Sequence, residues 1–221
     1  MSPRPFTIDS AVMGNIRPMA ALDAPSVAAL HHAAMGNSTW ALLGLDFLKA
    51  LYTSLIDDEN FLGFVYEEDG DIGGFIAGSQ NTEKMLANTF RRAWPLLGIK
   101  AFPRLLQPRV LKRLVETHRY TEVSGAEKLP ESLFCSFKKD LRGKRISGHI
   151  NKVLFDELLA RGHHSVKITT EIDNQGANRQ LTSWGFRDEG HFSFYGKEMV
   201  LYVLDLHASD RVDPISRHPA V

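Results

Sequence analysis

The chain has 221 residues, enough for one domain with a sizeable core or one domain plus an elaboration. Its 26 basic and 26 acidic side chains cancel, so no global field points to nucleic acid or to an acidic partner. A single cysteine, Cys135, excludes an internal disulfide framework and any multi-cysteine metal site. Met1 to Gly14 lacks the apolar stretch of a signal peptide, and no apolar run approaches the ~20 residues of a membrane span. These features lead to the expectation of a cytoplasmic protein.

Residues 1–14 and 207–221 are rich in Pro, Ser, Asp and His without periodicity and read as flexible tails around a domain at 15–206. Ile16 to Met19 suits a first edge strand. Asp23, followed by Pro25, offers an N-cap for a helix using Val27, Leu30, His31 and Ala34. Phe47, Leu48, Leu51, Tyr52 and Leu55 mark a second helix. Phe61 to Tyr66 and Ile72 to Ala77 flank Glu68-Asp69-Gly70, a hairpin turn.

Residues 81–131 break the rhythm. Apolar helical faces (Trp94, Leu97, Phe102, Leu105, Leu106, Leu111, Leu114, Val115) are interrupted by Pro95, Pro103 and Pro108. Nine cations against Glu83 and Glu116 give residues 82–120 a formal charge of +7 (9 − 2). A stretch of this length is seldom left structureless in a compact domain, so it reads as a basic helical insertion.

Ser132 to Phe137 then suits a buried strand. Ile146, Ile150, Val153, Leu154 and Leu158 form a helical stripe ending at Arg161-Gly162. Val166 to Ile172 alternates as a strand, Ala177, Leu181 and Trp184 mark a short helix, and the chain closes on a hairpin from Phe192 to Leu206. Between the strand at 132–137 and its helix lies Asp140-Leu141-Arg142-Gly143-Lys144-Arg145-Ile146-Ser147-Gly148. A small-residue, basic turn at a helix head exposes backbone N–H groups without intrahelical partners, and the helix dipole adds positive charge. Such a turn suits a pyrophosphate.

With the second strand–turn–helix unit, this turn resembles the acetyl-CoA core of the GCN5-related N-acetyltransferase (GNAT) superfamily over roughly residues 132–206. The family's pyrophosphate loop, Arg/Gln-x-x-Gly-x-Gly/Ala, maps onto Arg142-Gly143-Lys144-Arg145-Ile146-Ser147. Its later Asn-x-x-Ala pattern, followed by Gly-Phe, matches Asn174, Ala177, Gly185 and Phe186. Arg145 stands where the family has glycine and Ser147 where it has glycine or alanine. Leu181 occupies the place of a tyrosine that protonates the departing thiolate in many relatives.

The resemblance implies a mixed α/β fold: a twisted, mostly antiparallel sheet of six or seven strands flanked by helices, with the insertion before the cofactor strand. Strands 132–137 and 166–172 would run parallel and splay around the cofactor arm. It also implies direct transfer of an acetyl or other acyl group from acetyl-CoA to an amine, without a metal. Implied cofactor contacts are Ser136 or Phe137 (backbone N–H at the acyl carbonyl), Arg142, Gly143, Lys144, Arg145, Ile146, Ser147, Gly148, Asn174 and Ala177. Glu131 and Glu171 are candidate bases and Tyr195 a replacement acid.

The insertion admits three readings: helices packed on the body with solvated cations, a roof favouring an anionic acceptor such as an amino-sugar nucleotide, or an interfacial segment on an anionic membrane. A CoA-binding regulator without activity is the alternative to an enzyme. Paired subunits are common in the family. Cys135 reads as a core side chain, and the adjacent pairs His31-His32 and His163-His164, which point to different faces, as poor metal sites.

Overall fold

A computed structural model describes residues 6–108, 110, 129–141, 144–194 and 196–212. The strands are β1 (Ile16–Pro18), β2 (Phe61–Glu68), β3 (Asp71–Ser79), β4 (Glu131–Phe137), β5 (Ser165–Glu171), β6 (Arg187–Phe194) and β7 (Lys197–Asp205). The helices are α1 (Ser10–Gly14), α2 (Ala24–Ala34), α3 (Thr39–Leu42), α4 (Leu45–Ile56), α5 (Thr82–Leu105), α6 (Ile146–Ala160) and α7 (Gln175–Trp184). The strands make one 7-stranded sheet in the order β1-β2-β3-β4-β5-β7-β6. Every neighbouring pair is antiparallel except β4 and β5. The mixed, mostly antiparallel sheet expected from the sequence is the one observed.

Alternation along the strands assigns the two faces. Leu62, Phe64, Tyr66 and Ile76 join a core with the stripe of α6 and with Leu181 and Trp184 of α7. Phe61, Val65, Phe75 and Ala77 join the other core, with α2, α4 and the buried side of α5. The β2–β3 turn has both Asp69 (φ 53°) and Gly70 (φ 78°) in the left-handed region, the twist that a tight hairpin requires. Gly74 is needed for close approach: a Cβ there would fall 2.1 Å from Cδ1 of Phe137 on β4.

Three local readings differ from expectation. The Asp23 carboxylate does not cap α2; it accepts from Arg17 at 2.6 and 2.9 Å and from the Ala20 N–H at 2.8 Å. Arg17 offers a charge-assisted, two-pronged partner that outcompetes a neutral helix amide. Helix α5 runs unbroken through Pro95 and Pro103, both exposed, where water can hydrate the carbonyls that proline leaves unpaired. Finally, residues 6–14 are docked: Phe6 packs on His149 and Trp184, and the Asp9 N–H donates to Nε2 of His149 at 2.9 Å. At the other end, the Arg211 carbonyl accepts from Nζ of Lys152 at 2.8 Å, tying residues 207–212 to α6. Their tail-like composition hides these few anchors. The stretch 111–128 and residues 213–221 lie outside the described residues. Among the described residues, no helix is long and apolar enough to cross a membrane.

His31 is an ionisable ring held in the core. It is fully buried between the Tyr52 hydroxyl (2.7 Å from Nδ1) and Oγ of Ser38 (3.1 Å from Nε2), with the Phe134 ring 4.6 Å away. Burial, helped by the charge of His32, lowers its pKa from 6.5 to about 4. A depressed folded-state value means that the unfolded chain binds the extra proton, so the neutral ring's contribution is complete above pH 6.5. That contribution falls away between pH 6.5 and about 4, by roughly 3 kcal/mol at the lower end. Denaturant unfolding across this window should show the decline, and His31→Gln should flatten it; parallel slopes for the two proteins would assign the decline elsewhere.

Candidate functional site

β4 and β5 share one registered position, Glu131 opposite Lys167, reinforced by the Lys167 N–H donating to the Pro130 carbonyl at 2.9 Å. Each strand is laddered along its other side, β4 to β3 and β5 to β7. The two strands therefore part beyond Glu131, leaving a wedge of unpaired backbone that opens toward their C-terminal ends. The β3–β4 register skips Leu133 between Phe134↔Ala77 and Ser132↔Gly78, a bulge that bends β4 near the vertex.

Backbone alternation fixes which amides face the wedge. The Lys138 N–H donates to the Gly73 carbonyl at 2.8 Å, on the β3 side, so the amides of Ser136 and Phe134 share that direction. The amides of Phe137 and Cys135 point to the open edge. Of the two oxyanion donors expected, Phe137 is so aimed and Ser136 is turned to β3; Cys135 is a donor that the sequence reading missed. Its thiol is a core group, with burial pushing its pKa up to about 12 against a hydrogen bond from Asn151.

At the vertex, the Glu131 and Lys167 side chains are both buried. A carboxylate oxygen lies 3.7 Å from Nζ, and the Thr82 hydroxyl donates to it at 3.0 Å. Burial raises the Glu131 pKa above its ordinary value, more than Lys167 and Thr82 lower it. The other candidate base, Glu171, is ion-paired with Lys197 at the far end of β5 and is partly exposed. Tyr195 lies outside the described residues. Leu181, on the inner face of α7, is buried in the core, consistent with its carrying no chemistry. A polar hollow lined by Glu59, Asn60, Gln80, Asn81, Arg161 and His163 lies beside the closed end of the wedge.

The loop below the wedge enters α6 through Arg145, which is left-handed at φ 59°, the conformation glycine adopts freely. Arg142 and Gly143 lie outside the described residues. Lys144 and Arg145 are exposed, Ser147 and Gly148 half-buried, and Ile146 is a core residue. At the head of α6, the N–H groups of Arg145, Ile146 and Ser147 meet no acceptor among the described residues. The Gly148 amide is taken by the Arg145 carbonyl at 3.1 Å, so it does not belong with these three.

His149 steadies this turn. The Asp9 N–H donates to its Nε2, so Nδ1 carries the proton and donates to the Arg145 carbonyl at 2.9 Å. A Cβ on Gly148 would fall 2.7 Å from Phe6, which closes the same turn from outside. His149 was missed, although its spacing from Ile146 and Val153 puts it on the apolar stripe.

Asn174 and Ala177 engage each other rather than the wedge. The Asn174 side chain caps α7 by accepting from the Ala177 N–H at 3.2 Å, and its Nδ2 donates to Oγ1 of Thr170 at 3.4 Å. Gly185, at φ 88°, closes the helix and turns Phe186 into the core. Of the adjacent histidine pairs, His163 is held by Gln80 at 3.1 Å and His164 by His207 at 2.8 Å.

The left-handed Arg145 carries a backbone strain of about 1 kcal/mol that glycine would not. Arg145→Gly is expected to unfold at higher denaturant than Arg145→Ala, by ~0.5–1 kcal/mol. Equal stabilities would show that the turn is not strained.

No family model matches the chain, and no curated protein sequence matches it. Solved structures do. A ribosomal-protein-alanine N-acetyltransferase from Brucella melitensis aligns at a TM-score of 0.58 and 17% identity, over 86% of this chain and 99% of that one. An N-acetyltransferase from Staphylococcus aureus Mu50 aligns at 0.56 and 18% identity, over 86% and 96% of the two chains. The spermidine/spermine N-acetyltransferase of Vibrio cholerae aligns at 0.53 and 13% identity, over 88% and 94%. At these identities the likeness is one of architecture, and the chain has the fold of the GNAT-type acetyltransferases.

Proposed function

We propose that the chain is an acyl-CoA-dependent N-acyltransferase, with acetyl-CoA as donor and the amine of a small molecule as acceptor. One observation carries the reading: two parallel strands joined at a single position, above a helix head whose first amides meet no acceptor among the described residues. The open edges of β4 and β5 offer backbone partners to the amide-bearing arm of a CoA thioester. The Arg145, Ile146 and Ser147 amides, with the charges of Lys144 and Arg145, suit its diphosphate. The acetyltransferase folds to which the chain is similar support the same reading.

In this scheme the acceptor nitrogen attacks the thioester carbonyl and forms the new C–N bond. The carbonyl oxygen, gaining charge, meets the Phe137 or Cys135 N–H. Glu131 lies about 13 Å along β4 from Cys135, so a relay of waters rather than direct contact would carry the amine's proton to it; a carboxylate whose pKa burial raises suits that task. The C–S bond then breaks and CoA leaves as a thiolate. With a pKa near ~8.5, that thiolate needs no strong acid, which accommodates leucine at position 181. For the acceptor, Arg92 is committed to Asp58 and to the Ser54 and Asp57 carbonyls. Lys84 and Arg91, on the half of α5 that begins beside Glu131, remain to favour an anionic amine such as an amino-sugar nucleotide.

Calorimetry with CoA and acetyl-CoA, followed by thiol release across a panel of neutral and phosphorylated amines, tests this reading. Binding and amine-dependent release are expected, and Glu131→Gln should lower kcat by roughly 100-fold or more with little change in the Kd for CoA. Binding without release for any amine would favour a CoA-sensing module; absence of binding by folded protein would remove the assignment.

A further inference from the structure

From the surface of α5 we infer that its C-terminal half docks on an anionic lipid surface. The segment reads Trp94-Pro95-Leu96-Leu97-Gly98-Ile99-Lys100-Ala101-Phe102-Pro103-Arg104-Leu105-Leu106, with two charges, both positive. It is apolar around its circumference, but a helix lying on a domain can bury only one side. Leu97 and Ala101 take that side and enter the core beside α4. Trp94, Ile99 and Leu106 stay 68%, 69% and 70% exposed, and Leu96 and Phe102 are exposed with them.

Ile99, Phe102 and Leu106 follow one another at three- and four-residue spacing, so they form a continuous outward ridge. The other large apolar side chains exposed among the described residues, Ile8, Leu22, Leu45 and Ile172, are scattered on separate elements. A clustered ridge of this kind marks an interaction surface, whereas scattered single residues do not.

Charge selects the partner. Lys100 and Arg104 are exposed beside the ridge, and the half-helix has no acidic residue. A second copy docking ridge to ridge would bring four such cations together (2 × 2), with no carboxylate on the half-helix itself to offset them. A bilayer with anionic headgroups offers both an apolar layer and opposite charge, each nearby Lys or Arg contributing about 1 kcal/mol. The segment cannot span, since no described helix is long and apolar enough, so it would lie along the headgroup boundary.

The full-length protein, mixed with vesicles of phosphatidylcholine alone or with added phosphatidylglycerol, should co-sediment with the anionic vesicles only. Tryptophan emission should shift to the blue on binding, and Trp94→Phe should abolish the shift, since Trp184 is buried and Trp40 is half-buried against Phe47 and Phe90. Ile99→Ser with Phe102→Ser, both at exposed positions, should lower vesicle partitioning by roughly tenfold or more. The control Ile172→Ser should leave it unchanged. Equal partitioning to neutral vesicles would overturn the electrostatic selection. No partitioning to either would overturn the inference outright, and a concentration-dependent dimer abolished by Phe102→Ser would assign the ridge to self-association. None of these readouts depends on acyl transfer.

Discussion

Between Glu131 and Lys167 two neighbouring strands hold a single ladder position and then separate, while each stays paired to its other neighbour. Backbone left without partners in the middle of a sheet is unusual, because each buried, unsatisfied polar group costs ~1–3 kcal/mol. The fold sustains the opening through what lies around it. β3 and β7 hold the two strands from outside, the Leu133 bulge bends β4, and a buried Glu–Lys contact pins the vertex. The helix that follows β4 places below the opening amides that meet no acceptor among the described residues. The whole site therefore depends on β4 and β5 failing to pair.

How far this was legible in the sequence varies by element. The alternating strands, the stripe of α6 and the hairpin at Asp69-Gly70 follow from periodicity and turn chemistry, since burial on one face leaves few registers open. The splay came only from resemblance; nothing in the composition of β4 or β5 says that two adequate strands will diverge. Pro95 and Pro103 suggested breaks in α5, but proline ends a helix reliably only where the lost hydrogen bond cannot be replaced, and both sites face water. The docked N-terminal segment rests on Phe6 and the Asp9 amide, and a backbone donor has no signature in a side-chain pattern.

The motif matches turn out to report two different things. The Asn174, Ala177, Gly185 and Phe186 spacing describes the architecture of one short helix: an N-cap, the amide it satisfies, a left-handed close and a core anchor. Its presence argues for the second strand–helix unit. The Arg145 position reports on the loop itself. The left-handed turn is retained without glycine, and its carbonyl is held by His149, whose far nitrogen is held by Asp9. A strained residue persists where its surroundings over-determine it. Here the surroundings include a segment 136 residues away in sequence (145 − 9).

The two possible roles of Glu131, structural pin and proton acceptor, can be weighed from its surroundings. A carboxylate fully compensated by an adjacent ammonium would ionise more readily than one in water. Glu131 does the reverse. Its contact with Lys167 is 3.7 Å, longer than a hydrogen bond, and the Thr82 hydroxyl supplies a neutral donor, so burial wins and protonation becomes easier. A side chain needed only to hold the vertex would gain from a tighter pair. One left short of full compensation, at the point where the strands part, retains affinity for a proton, and the acyl transfer proposed above would have one to dispose of.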